Sequence, residues 1–154
     1  MDLRELYQEI ILDHGRHPRN FKALDGHSHS AHGHNPLCGD TITVYLNIED
    51  DKIKAVSFEG HGCAISTASA SLMSEILTGK TLDEAQKLFK SFHMDVTGGD
   101  KDPLPADLED DGDRLAPLTG VKNYPARVKC ATLAWHTFDA AVKGGAEAAP
   151  VKTE

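Results

Sequence analysis

After Asp2, the apolar residues Leu3, Leu6, Tyr7, Ile10 and Ile11 recur three and four positions apart. That is the spacing of one helical face, with Asp2 placed to cap the free N–H groups at its start. Gly15 is a natural stop and Pro18 bars simple continuation, so an amphipathic helix is predicted over this stretch. The period then changes. Residues 27–34 alternate weakly and read as an edge strand, and Asn35-Pro36-Leu37-Cys38-Gly39-Asp40 reads as a tight loop. Ile42, Val44, Leu46 and Ile48 alternate with Thr41, Thr43, Tyr45 and Asn47, which predicts a half-buried strand. A turn at Asp50-Asp51 leads into a second strand through Ile53, Val56 and Phe58, closing a hairpin. Gly60 and Gly62 break the sheet; Ser66 or Thr67 then caps a small-residue helix through Leu77, stopped by Gly79. Thr81-Leu82-Asp83-Glu84 matches a capping box and opens a short helix to about Phe92. Pro125, at a favoured first helical position, opens the last helix, whose apolar faces are Val128, Leu133, Trp135, Phe138 and Val142. Trp135 and Phe138 read as core. The pattern predicts an α+β fold: a small three-stranded antiparallel sheet with helices packed on one face.

The chain has 154 residues, enough for one domain that buries about 68–70% of its unfolded surface without disulfides. A single domain over 1–145 is expected, with a flexible tail over 146–154. Eight acids lie between Asp95 and Asp113, among Gly98-Gly99, Pro103 and Pro105. The region of about 95–120 therefore reads as a solvated acidic insertion. With 24 acidic against 16 basic side chains the formal charge is -8, which argues against general nucleic-acid or anionic-membrane binding. No membrane span or secretory segment is legible. An odd cysteine count, three, without an export signal points to a cytoplasmic protein whose thiols serve chemistry or metal rather than bridges.

Cys38 and Cys63 lie in glycine-containing loops before and after the hairpin. Because a hairpin returns the chain to its start, these loops are expected to approach each other at one sheet end. Asp40 points the same way, and Cys130, one turn into the last helix, is within reach. Three thiolates and one carboxylate would make a tetrahedral zinc set, and coordination would stabilise the thiolate form. Spacing alone is weak, since 24 residues separate the first two cysteines and 66 the last two. The alternative that each is a small buried hydrophobe stays open at this point.

Three blocks narrow it: Pro36-Leu37-Cys38-Gly39-Asp40, Gly60-His61-Gly62-Cys63-Ala64-Ile65-Ser66 and Tyr124-Pro125-Ala126-Arg127-Val128-Lys129-Cys130-Ala131-Thr132-Leu133. Together with the opening Leu6-Tyr7-Gln8-Glu9-Ile10-Ile11-Leu12-Asp13-His14, they resemble the SufU/IscU/NifU-N family of iron–sulfur cluster assembly. The resemblance implies metal ligands at Cys38, Asp40, Cys63 and Cys130. Two departures resemble the SufU branch: Lys129 stands where the scaffold branch carries a histidine, and the acidic region fills the place of an insertion of about twenty residues. That branch implies a zinc-dependent sulfur-transfer protein serving a SufS-type cysteine desulfurase, with a downstream Suf scaffold complex as a further partner. Cys38 would accept the persulfide sulfur, and its Pro/Gly loop suits a residue that must swing. The alternative is a scaffold holding a transient [2Fe–2S] cluster on the same four residues. A zinc-stabilised binding module without sulfur transfer is a third class.

Arg127 and Lys129 flank Cys130 and would lower a nearby thiol pKa or meet the partner enzyme; ordinary helix-surface cations are the bland alternative. His61, close to Cys63, is placed as a neighbour of the ligands or a fifth candidate ligand, with an exposed loop residue the favoured alternative. The histidines at 27, 29, 32 and 34 read as a polar edge strand before a specific site. His14 and His136 read as structural.

Overall fold

The computed structural model describes residues 2–99, 103–144 and 151–152. Asp2 accepts a 2.9 Å hydrogen bond from the Glu5 N–H and opens α1, Leu3–Arg16. The helix does not stop at Gly15. That residue lies against Ala64, where a Cβ would sit 3.3 Å from the alanine's own, so it serves close packing rather than termination.

Three antiparallel strands follow: β1, His29–Asn35; β2, Asp40–Glu49; and β3, Lys52–His61. The predicted α+β architecture is the observed one, with a two-residue strand β4, Val151–Lys152, added in parallel beside Gly33 and His34. The sheet order is β3-β2-β1-β4. β1 is thus covered at one end rather than being a free edge, and two residues of the expected tail are strand; 145–150, 153 and 154 lie outside the described residues. Asp50 and Asp51 both take positive φ, 51° and 61°, as a two-residue hairpin turn between right-twisted strands requires.

Cys63 rather than Ser66 or Thr67 caps α2, Ala64–Leu77, its sulfur accepting from the Ser66 N–H at 3.4 Å. Thr81 and Glu84 form the predicted capping box of α3, Leu82–Thr97. This helix outruns the expected end near Phe92 and closes on Gly98 in the left-handed region at φ 78°. The acidic stretch is not a solvated loop where it is described. Two 3₁₀ segments, Ala106–Leu108 and Ala116–Asn123, flank α4, Glu109–Asp113. Leu108, Leu115, Leu118 and Val121 from this stretch are buried in the core, while its acids face outward or pair, as Asp111 does with Lys80 at 3.2 Å. Apolar residues spaced across several short helices thus anchor a segment whose composition alone suggests solvent.

Pro125 opens α5, Pro125–Gly144. α2 and α5 cover one sheet face, enclosing Val44, Leu46, Val56 and Phe58 with Met73, Ile76, Leu133 and Phe138. Gly33 lets α5 come close to β1, because a Cβ there would collide with Thr137 Oγ1. Trp135 is fully buried and donates to Ser69 Oγ at 3.2 Å. His14 is buried with its Nδ1 2.7 Å from Ser71 Oγ, a structural contact. No described helix is long and apolar enough to cross a membrane.

Candidate metal centre

The strand register sets the site. Asn35 pairs with Asp40 across a turn at 36–39, and Thr41 pairs with His61. The β1–β2 turn and the β3–α2 junction therefore meet at the same sheet end, as the returning hairpin requires. Cys38 is exposed on that turn. Asp40, the first residue of β2, faces the helices and is 0% exposed. Cys130, on α5, is also 0% exposed. Donor atoms of Cys38, Asp40 and Cys130 all lie within 4.8 Å of one another.

Cys63 adjoins this triplet from the start of α2. Its N–H donates to Asp40 Oδ1 at 2.9 Å, and its thiol interacts with that of Cys130. Gly62 makes the approach possible: a Cβ there would lie 2.5 Å from Asp40 Oδ1. The structure thus brings all four predicted donors to one place, three as a compact triplet and Cys63 beside it.

Burial pushes the Cys130 thiol far above the ordinary cysteine range, aided by hydrogen bonding with Asp40 and Cys38 and by the charge and thiol of Cys63. Arg127, exposed on α5, has its pKa raised first by the negative charge that Cys63 would carry as a thiolate, then by that of Cys130, with Cys38 adding to it. A divalent cation fits such a donor set. Sulfur and oxygen ligands at about 2.0–2.3 Å from a tetrahedral ion sit roughly 3.3–3.8 Å apart, so the triplet would need to contract by no more than about 1–1.5 Å. Positive charge at its centre would also offset the burial and crowding that keep the Cys130 thiol protonated.

His61 lies elsewhere: its Nδ1 is 3.3 Å from Thr41 Oγ1, on the sheet face opposite Asp40 by strand alternation. Lys129 is half-buried in α5, and its side chain makes no hydrogen bond or ion pair with another described residue. Of the histidines, His32 and His34 are exposed on the outer sheet face, His32 bonding Thr43 at 2.7 Å, while His27 and His29 make local contacts with Leu24 and Ser28.

Sequence reasoning missed Asn35. It is the last residue of β1, 0% exposed, and its Nδ2 reaches Asp40 Oδ2 at 3.3 Å and Cys130 Sγ at 3.6 Å. The usable signal was the strand phase, since Ala31, Gly33 and Asn35 share one parity and a polar residue in an inward position needs a partner.

Thiol and carboxylate donors converging at one end of a small helix-backed sheet define a protein suited to soft-metal or sulfur chemistry. More particularly, residues 6–131 match the NifU-like N terminal domain, and the chain belongs to that family. It is 36% identical over 146 residues to the iron–sulfur cluster assembly scaffold protein IscU of Streptococcus pyogenes serotype M1, covering 95% of this chain and 88% of the relative. It is 38% identical over 141 residues to the zinc-dependent sulfurtransferase SufU of Bacillus subtilis strain 168, covering 92% of each. The solved N-terminal part of a nitrogen-fixing NifU-like protein from Brucella abortus superposes with a TM-score of 0.79 at 25% identity, covering 92% of this chain and 94% of that one.

Proposed function

We propose that this chain is a cytoplasmic, zinc-dependent sulfur-transfer protein of iron–sulfur cluster assembly, of the SufU kind. Its donor would be a SufS-type cysteine desulfurase, whose activity it would stimulate. The observation that carries the reading is an asymmetry within one cluster: Cys38 is exposed on a turn, whereas Cys130 and Asp40 are wholly buried. One thiol is thus accessible to a partner while its neighbours are fixed by the fold. Lys129, standing where the scaffold branch carries a histidine, supports the same side of the family, as does the similarity to a zinc-dependent sulfurtransferase.

Cys38, Asp40, Cys63 and Cys130 would hold the zinc, which supplies charge that keeps bound thiols deprotonated. The transfer itself is thiol exchange. The Cys38 thiolate attacks the outer sulfur of the enzyme's persulfide; a new S–S bond forms at Cys38, the old one breaks, and the enzyme's thiolate leaves, with no net oxidation. Arg127 lies where it can face the incoming anionic sulfur, within the field of the three thiols.

Mass spectrometry of the protein after incubation with the desulfurase and cysteine tests this reading. One added sulfur on Cys38 is expected, and none after Cys38→Ala; sulfur uptake by the folded variant would move the acceptor to Cys63 or Cys130. The scaffold reading draws on the similar identity to a protein named as an IscU scaffold, and the donors would also suit a [2Fe–2S] cluster. Under it, iron and sulfide would assemble on the chain without stimulation of the desulfurase.

A further inference from the structure

A single buried carboxamide touches every segment of the compact triplet. Asn35 Nδ2 donates to Asp40 Oδ2 at 3.3 Å and to Cys130 Sγ at 3.6 Å, so its two N–H groups face donors on β2 and α5. Its Oδ1 accepts from the Leu37 N–H at 3.3 Å, and its backbone carbonyl accepts from the Gly39 N–H at 2.8 Å, on either side of Cys38. The amide orientation follows from these neighbours. Turned over, its oxygen would face the Asp40 carboxylate and its NH2 would face the Leu37 N–H, two repulsive contacts.

We propose that Asn35 is a positioning residue for a divalent cation at this cluster, resting on the metal-site reading above. Its NH2 group aims the Asp40 carboxylate and the Cys130 sulfur, and its carbonyl fixes the turn that presents Cys38. A neutral donor does this without adding charge to a site already crowded with potential anions. Asn35 does not serve as a ligand itself, because its oxygen is engaged by Leu37 and its amide nitrogen has no free lone pair to offer. Groups that orient metal ligands in this way change metal affinity by about 10–100-fold when removed.

Two variants separate the roles. Asn35→Ser keeps an acceptor for the Leu37 N–H in a hydroxyl-based turn but loses both N–H donors; Asn35→Ala loses both functions. Asn20→Ala, which removes a 3.0 Å bond to Ser74 on the far part of α2, serves as a purely structural comparator. For each protein, Zn2+ affinity is measured by competition with a chromophoric chelator, the absorption bands of the Co2+ form are recorded, and the melting of metal-free protein is followed. Both Asn35 variants are expected to bind Zn2+ about 10–100-fold more weakly and to show shifted cobalt–thiolate bands. Asn20→Ala is expected to lower the melting temperature alone. Wild-type affinity and an unchanged cobalt spectrum in Asn35→Ser would overturn the positioning role. Failure of the wild-type protein to bind either ion would instead overturn the metal-site reading and this inference with it.

Discussion

Substituting Gly62 by alanine puts one methyl group at the tightest point of the site. The added Cβ would lie 2.5 Å from Asp40 Oδ1, 3.0 Å from its Cγ and 3.1 Å from its Cβ. Ordinary contact distances are about 3.5 Å or more, so the carboxylate or the 62–63 peptide must move by about 1 Å. Asp40 is completely buried and offers no solvent-facing route of escape. The same movement stretches the 2.9 Å bond from the Cys63 N–H to Asp40 Oδ1, and a hydrogen bond to a charged acceptor is worth about 1.5–3 kcal/mol. Because that bond ties two predicted ligands together, the loss should appear mainly as metal affinity, by about one to two orders of magnitude. Competition titration with Zn2+ reads the affinity, and circular dichroism checks that the variant remains folded. A folded Gly62→Ala protein that bound Zn2+ as tightly as the wild type would refute the assignment of Asp40 and Cys63 to one metal centre.

Leu118 is fully buried in the segment after α3, so Leu118→Ala should destabilise by about 2–5 kcal/mol in denaturant titrations; a change below about 0.5 kcal/mol would mean that the acidic stretch is not part of the core. Burial lowers the pKa of His14, with the Arg19 charge adding to it, and burial followed by the His93 charge lowers that of His136. Both groups therefore stay neutral in the fold while the unfolded chain takes up protons below about pH 6.5. Their contribution is complete above that pH and is lost as the pH falls through it toward the folded-state values. Metal-free protein should become less stable from pH 7 to pH 5, and His14→Asn should flatten that slope; an unchanged slope would remove His14 as a cause.

What the chain discloses locally was legible in its sequence. The Asp2 cap, the β2–β3 hairpin and the Thr81–Glu84 capping box rest on neighbours a few residues apart, where propensity and side-chain bonds act together. The meeting of Cys38, Asp40 and Cys130 followed from the return of a hairpin to its origin and the position of Cys130 near a helix start. Three features escaped for physical reasons. Pro36 made Asn35 look like loop, although Asn35 completes the strand and only Pro36 to Gly39 turn. Cys63 acts as a helix cap through sulfur, outside the usual oxygen-bearing set. The pairing of Val151 and Lys152 with β1 is a two-residue, long-range contact with no local pattern to announce it.

The central claim, sulfur acceptance at a zinc-held cluster, is tested most directly by the turnover of the cognate cysteine desulfurase on cysteine. Alanine release would be followed under reducing conditions with no added protein, with the zinc-loaded chain, and with the same chain stripped of metal. A large acceleration by the zinc form, lost on stripping and restored by adding Zn2+, is the predicted result. Equal turnover in all three conditions would contradict the account and leave the scaffold reading to explain the site.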